Sequence, residues 1–289
     1  MVNLKNGVSK DAGTAKASRW KNAGPGPATE SKTTENENGE KKKKSSSQAS
    51  SSSYTDKDGH LVASSNQVLG GRFTVRSELG EGTFGKVYKA EDAKHGDVVA
   101  VKCIRNIDRY TNSAIIETKI LRKIYTAQKA AKVELLVTLY TSFTHQGHYC
   151  MVFEPLGKSL LDYIEQNKYC GFPLPYVRLI AAQLLSALTF LEGHSLVHTD
   201  LKLENILFMP CEDTTAQLDV PVRDGMETRT VTLPCQPNIK LIDFGGATYD
   251  SEHKSKVINT RQYVDRASVS VSVLLSPPLP LTLSPPPPL

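Results

Sequence analysis

The sequence predicts an α+β chain: a small β-rich lobe carrying one helix, then a mainly helical region, set between two low-complexity ends. Three observations carry this. From Arg72 onward, FTVRSELG, KVYKAED, DVVAVKCI and HYCMVFE are rich in Val, Tyr and Phe and are separated by Gly or Asp turns, which reads as strands. SAIIETKILRKIYTAQKA has helical spacing, with Ile115, Ile116, Lys119, Ile120 and Lys123 on one side. PYVRLIAAQLLSALTFLEG keeps Val177, Ile180, Ala181, Leu184, Leu185, Leu188 and Leu191 to one face, with Pro175 near its start.

The ends follow from composition. Residues 1–70 run through TTENENGE, the basic Lys41–Lys44 and SSSQASSSSY, too polar to offset the entropy of folding, so a disordered region is expected there. Trp20, the single tryptophan, lies in it. The last stretch, SPPLPLTLSPPPPL, holds seven of the sixteen prolines and cannot continue a packed domain. This gives 1–70 as tail, 71–155 as the β-rich lobe, 156–264 as the helical part and 265–289 as a Pro/Ser-rich tail.

Bulk properties narrow the function classes. The 289 residues suffice for one large domain or two small ones, and 39 % hydrophobic content fits a partly unpacked chain. Five dispersed cysteines with no C-x-x-C pair argue against a disulfide framework or a zinc site, and for a reducing compartment. MVNLKNGVSK has neither an apolar leader core nor a glycine for myristoylation. No apolar run is expected to approach the ~20 residues of a membrane span. A net charge of +5 reads as an ordinary solvated surface rather than a nucleic-acid face.

LGEGTFGKV, residues 79–87, admits three phosphate-binding readings and a fourth in which a flexible hairpin binds nothing. G-x-x-x-x-G-K-[ST] fits from Gly80 to Lys86 and fails at Val87, which has no hydroxyl. A dinucleotide fingerprint fits Gly80, Gly82 and Gly85 but needs a helix straight afterwards. A glycine-rich hairpin over ATP phosphates, ending at Val87, needs a strand on each side, and both are predicted. Further on, DVVAVKC puts Ala100 and Lys102 on one face of a strand and Val99, Val101 and Cys103 on the other. A small Ala suits a surface admitting an adenine ring. A lysine in a valine-rich strand needs its charge paired, and Glu117 on the following helix is the expected partner.

LVHTDLKLENILF, residues 196–208, sets His198, Asp200, Lys202, Glu204 and Asn205 between two apolar runs, as a loop held at both ends. There Asp200 can orient a substrate hydroxyl and take its proton, Lys202 can neutralise a transferring phosphoryl group, and Asn205 can offer an oxygen to Mg²⁺. KLIDFGGAT adds Asp243 as a second metal ligand.

With these five motifs in this order, the chain resembles a protein kinase, and in particular the LAMMER, or CDC-like, dual-specificity family. That family writes Thr for the usual Arg, as in His198-Thr199-Asp200, carries an insert like residues 209–238, and has an activation segment similar to ATYDSEHKSKVINTRQY. The resemblance runs from Arg72 to Tyr263. It implies a protein-kinase-like fold with a complete N-lobe and an incomplete helical C-lobe. It also implies ATP and Mg²⁺ as cofactors, with Leu79 and Val87 joining Gly80, Gly82, Gly85, Ala100, Lys102 and Glu117 around the nucleotide. Phe153, Glu154 and Leu156 form the hinge: Phe153 blocks the back of the pocket, and the Glu154 carbonyl and Leu156 N–H meet adenine. The usual Arg receives an activation-loop phosphate, so Thr199 implies a kinase independent of that phosphate. Leu203 stands where the family usually has Pro, a mild departure. Ser/Arg-rich splicing factors are the implied protein substrates, and the nucleus, with the cytoplasm as a second location, is the implied site of action; no direct nucleic-acid or membrane partner is expected.

After Tyr263 the A-P-E, substrate-binding helices and E-H-L-A-M-M-E-R segment do not follow. The expectation is a truncated isoform, a retained intron or a misdrawn gene end. Three functions stand open: a LAMMER-type kinase, an inactive fragment that binds ATP or partners as a regulatory module, and a product that does not fold alone.

Overall fold

A computed structural model describes residues 54–249, Asp224 excepted. Expectations for residues 1–53 and 250–289, including Trp20, Lys41–Lys44 and the Pro/Ser-rich tail, lie outside the described residues.

The β-rich lobe is one antiparallel sheet, in the order β1 (Val68–Leu69), β2 (Phe73–Gly82), β3 (Gly85–Asp92), β4 (Val98–Ile104), β6 (His148–Phe153), β5 (Leu139–His145). Its strands alternate as the period-two pattern requires: in β4, Val99, Val101 and Cys103 are buried on one face, and Ala100 and Lys102 are partly buried on the other. Against one face packs α1 (Asp108–Ala131), whose Leu121 and Ile124 meet Leu139 and Met151 in a shared core. The helix ends at Lys132 in the left-handed region, φ 55°. From its last turn, buried Gln128 accepts the N–H groups of Leu135 and Leu136 at 3.0 and 2.8 Å and donates to the Leu136 carbonyl at 3.2 Å.

The expectation of disorder through residue 70 is corrected for residues 54–70. They cover the sheet's second face, with Leu61 and Leu69 fully buried against Phe73, Val75, Val101 and Val152. Buried Tyr88 fixes the segment by donating its hydroxyl to the Leu61 carbonyl at 2.7 Å. The polar composition of the tail hid these few apolar anchors, each contributing roughly 1.5–3 kcal/mol when buried.

The helical part begins with α2 (Leu160–Gln166), closed by a capping box between Ser159 and Asp162, and α3 (Leu174–Glu192). Short strands β7 (Leu196–Val197), β8 (Ile206–Phe208), β11 (Ile239–Leu241) and β12 (Thr248–Tyr249) hold the loops, β8 pairing β11 and β7 pairing β12. Between β8 and β11, residues 209–238 contain the hairpin β9 (Asp213–Val222) and β10 (Gly225–Pro234). It is fastened by the Tyr163 hydroxyl to Asp213 at 2.6 Å, and by a reciprocal Asn167–Thr232 pair at 2.8 Å.

Two expectations for α3 change. Its apolar residues do not share one buried face: Ile180, Ala187 and Leu191 turn inward, with Leu184 half-buried beside them, while Val177, Ala181 and Leu185 are exposed. The helix is apolar almost all round, and one side is covered among the described residues. At 19 residues it is also long and apolar enough to cross a membrane by length and composition, contrary to the expectation that no run approaches that length. The core helix of a soluble protein passes the same test.

Candidate active site

β2 and β3 decide how the glycine stretch is built. Gly80 pairs with Val87, Glu81 with Lys86 and Gly82 with Gly85, so Thr83 and Phe84 form a two-residue turn and a strand follows. A dinucleotide fingerprint or a P-loop would open a helix here, and neither does. The glycines differ in purpose. A Cβ at Gly80 would meet nothing, and one at Gly82 would touch only the Gly85 carbonyl oxygen at 4.0 Å, whereas one at Gly85 would overlap the Cys103 carbonyl of β4. Gly85 is needed for strand packing, and Gly80 and Gly82 leave the hairpin's open side bare. Leu79 is exposed at the start of this stretch.

Val87 lies opposite Lys102, and Ala100 opposite Phe153. The Lys102 ammonium donates to both Glu117 carboxylate oxygens at 3.2 Å and to Asp243 Oδ1 at 3.1 Å. Burial disfavours its charge, but the Glu117 and Asp243 carboxylates outweigh this and hold its pKa above the ordinary lysine value. The carboxylates differ. Burial pushes Glu117 up, only partly offset by Lys102, while the Lys102 charge holds Asp243 below the usual range. Asp243 sits at φ 63°, a left-handed conformation that aims it at the lysine. Gly245 accommodates this: a Cβ there would come within 3.4 Å of both carboxylates.

The second cluster is stitched to the first through the backbone, with the Ile242 N–H donating to the Asn205 carbonyl at 2.9 Å. Lys202 pairs with Asp200 Oδ2 at 2.9 Å. Burial opposes the Lys202 charge, yet its bond to Asp200 keeps its pKa raised. Buried Asn205 donates Nδ2 to the Asp200 carbonyl at 2.8 Å and to Oδ2 at 3.2 Å, so its amide oxygen is the atom left to face a cation.

The protein kinase domain family matches residues 73–268. The chain belongs to the protein kinases. It is 41 % identical over 209 residues to dual specificity protein kinase CLK1 of Mus musculus and 40 % to serine/threonine-protein kinase Doa of Drosophila melanogaster, which puts it with the LAMMER, CDC-like type. Each match takes in 72 % of this chain, but 42 % of CLK1 and 24 % of Doa, so the chain spans less than half the length of these relatives. The solved kinase domain of PF14_0431 superposes with a TM-score of 0.64 at 37 % identity, covering 72 % of this chain and 60 % of that one.

Protein kinases work with ATP and a divalent cation. The residues present fit such an ion: the Asp243 carboxylate, held ionised, and the Asn205 amide oxygen offer hard oxygen donors, few enough for a cation that keeps water and phosphate in its shell. Phe153 ends β6, and Glu154 and Leu156 follow it into the helical part. The cavity of about 460 Å³ lined by Gly157, Lys158, Tyr163 and Phe208 shares no residue with these clusters.

Sequence reasoning left His198, Gly246 and Lys240 without a role. Buried His198 donates Nε2–H to the Ile242 carbonyl at 2.9 Å, accepts the Asp200 N–H on Nδ1 at 3.3 Å, and packs edge-on against Phe244 at 4.9 Å. Burial lowers its pKa, in keeping with that neutral tautomer. The Thr199 hydroxyl donates to the Gly246 carbonyl at 2.8 Å. Lys240, between Ile239 and Leu241, carries the signal that marked Lys102: a cation inside an apolar strand.

Proposed function

We propose that this chain is the nucleotide-binding and phosphoryl-transfer portion of a LAMMER-type protein kinase, moving the ATP γ-phosphate to Ser or Thr, and also Tyr, of protein substrates. The observation that carries it is Lys102 held between Glu117 and Asp243, beside a glycine hairpin whose side toward the loop tip is bare. Lys102 neutralises phosphate charge. Leu79, Val87 and Ala100 line the base, and Phe153, Glu154 and Leu156 receive it at the hinge. Mg²⁺, held by Asp243 and Asn205, would supply charge neutralisation at the phosphates. Asp200 orients the substrate hydroxyl and accepts its proton as the new oxygen–phosphorus bond forms and the bond to the leaving ADP oxygen breaks. Lys202, beside it, stabilises the phosphoryl in transfer. Ser/Arg-rich splicing factors as substrates, and nuclear action, follow from the family resemblance.

A second reading, a module that binds nucleotide without transferring phosphate, is favoured by the outward face of α3, which has no cover among the described residues. One experiment separates the two. Mg²⁺·ATP at about 100 times its dissociation constant adds roughly 2.7 kcal/mol to a folded binder, so the melt of the purified chain moves up. Phosphate transfer to an Arg-Ser peptide is then expected, and lost in Asp200→Asn with the ATP-induced shift retained. A melt indifferent to ATP overturns both readings, and a shift without transfer leaves the second.

A further inference from the structure

Lys240 is a lysine that phosphoryl transfer does not use, and it is 2 % exposed. It lies in the middle of β11, and its ammonium pairs with Glu154 Oε1 at 2.5 Å. The same oxygen accepts the Thr138 N–H at 2.7 Å, and the Glu154 N–H donates to the Thr138 carbonyl at 3.1 Å. The hinge residue is therefore fixed through side chain and backbone together. β11 is equally well tied. It pairs with β8 on one side, and on the other the Leu241 N–H donates to Leu135 and the Val137 N–H to Leu241, both at 3.0 Å. Three residues beyond Lys240 comes Asp243.

A buried ion pair is weak evidence for stability, because removing both charges from water offsets most of their attraction, and a well-packed apolar pair often serves as well or better. What an ion pair does better is fix one geometry. This pair joins the segment that leaves the β-rich lobe to the strand that delivers Asp243.

We propose that the Lys240–Glu154 pair is a brace between the lobes that sets the hinge backbone against the D-F-G strand, making Lys240 a positioning residue for nucleotide binding. The inference rests on the kinase reading above. Lys240 touches neither base nor phosphate. It acts by holding Glu154, whose carbonyl and near neighbour Leu156 present the backbone groups to adenine.

The test measures Mg²⁺·ATP affinity and melting temperature for the parent chain, for Lys240→Met and for the double variant Lys240→Met/Glu154→Gln. The single variant leaves the partly buried Glu154 carboxylate without its cation, so its melting temperature falls. The double variant removes that stranded charge and regains most of the melting temperature. Its ATP dissociation constant stays raised by about tenfold or more, because a small misplacement of a binding backbone is costly. Affinity that recovers together with melting temperature overturns the brace and leaves an ordinary buried pair. Failure of both variants to fold overturns it too, since the pair would then be a folding requirement. A parent chain that binds no ATP overturns the kinase reading and this inference with it, and the parent measurement alone distinguishes that case.

Discussion

The sheet of the β-rich lobe and helix α3 both carry apolar residues on more than one side, yet they are covered differently. The sheet is covered twice, by α1 on one face and by residues 54–70 on the other, so that Leu69, Val101, Met151 and Val152 are all fully buried. α3 is covered once. Ile180, Ala187 and Leu191 pack inward, while Leu174, Val177, Leu179 and Leu185 face out. The chemistry-bearing side chains sit away from that open face. Lys102 and Glu117 hang from the twice-covered sheet and its helix, and Asp200, Asn205 and Asp243 from loops sewn to one another by hydrogen bonds. Site geometry here depends on sealed strands and local stitches more than on the helix that looks most like a core element.

Truncation tests the comparison most strongly. Leu121→Ala opens a cavity between α1 and the sheet and should cost about 2–5 kcal/mol, whereas Leu185→Ala, on the outward face of α3, should stay within about 0.5 kcal/mol. Urea unfolding followed by circular dichroism reads both. Equal costs would mean that the outward face of α3 is packed after all. Next comes the sheet's tightest approach. Gly85→Ala drives a methyl into the Cys103 carbonyl and should cost about 1–3 kcal/mol or more. Gly80→Ala, with nothing near its Cβ, should leave the melt nearly unmoved; a matching loss would show that the hairpin tip is packed rather than bare.

A smaller effect concerns acid. Asp92, buried at the end of β3, accepts Arg72 at 2.6 and 2.8 Å and pairs with His95 at 2.5 Å. Burial raises its pKa, but the Arg72 and His95 bonds prevail and hold it below its ordinary value of 3.8. A carboxylate with a depressed folded pKa contributes stability that is fully present above its unfolded value and is lost as pH falls through the folded one. Stability should thus decline below about pH 4, and Asp92→Asn should flatten that decline. An unchanged acid limb would place the sensitivity elsewhere.

Much of this was legible in the sequence, for identifiable reasons. Period-two alternation gave the two faces of β4 because successive side chains of a strand point to opposite faces, and here one face is buried and the other only partly so. The Lys102–Glu117 pair was readable because an unpaired lysine between valines is too costly to leave alone. Where the reading failed, the signal was diluted or spread out. Leu61 and Leu69 were lost in a polar tail, although they are the buried apolar anchors of the segment, helped by the Tyr88 hydroxyl and backbone bonds. The hairpin in residues 209–238 left a loose signal, Gly225 ahead of the β-prone Thr228-Arg229-Thr230-Val231-Thr232, and it went unused. α3 misled because periodicity shows which residues are apolar and not which side finds a partner. The Lys240–Glu154 pair joins residues far apart in the chain, and nothing local names the partner.

The smallest predicted effect tests whether stitching holds the site together on the less-covered side. Thr199 stands at φ 66°, uncommon for a β-branched residue, and its hydroxyl spans from the loop after β7 to the Gly246 carbonyl. The contact ties the loop after β7 to the segment that follows Asp243. Thr199→Val keeps the shape and removes the donor, and should cost about 1 kcal/mol, seen in urea unfolding and as faster amide exchange around Ala247. Gly246 completes the contact, because a Cβ there would come within 2.7 Å of the Thr199 hydroxyl. Gly246→Ala should therefore be harmful in the parent and less so beside Thr199→Ala. Additivity of those two within about 0.5 kcal/mol would show that residues 199 and 246 are neighbours without being a stitch.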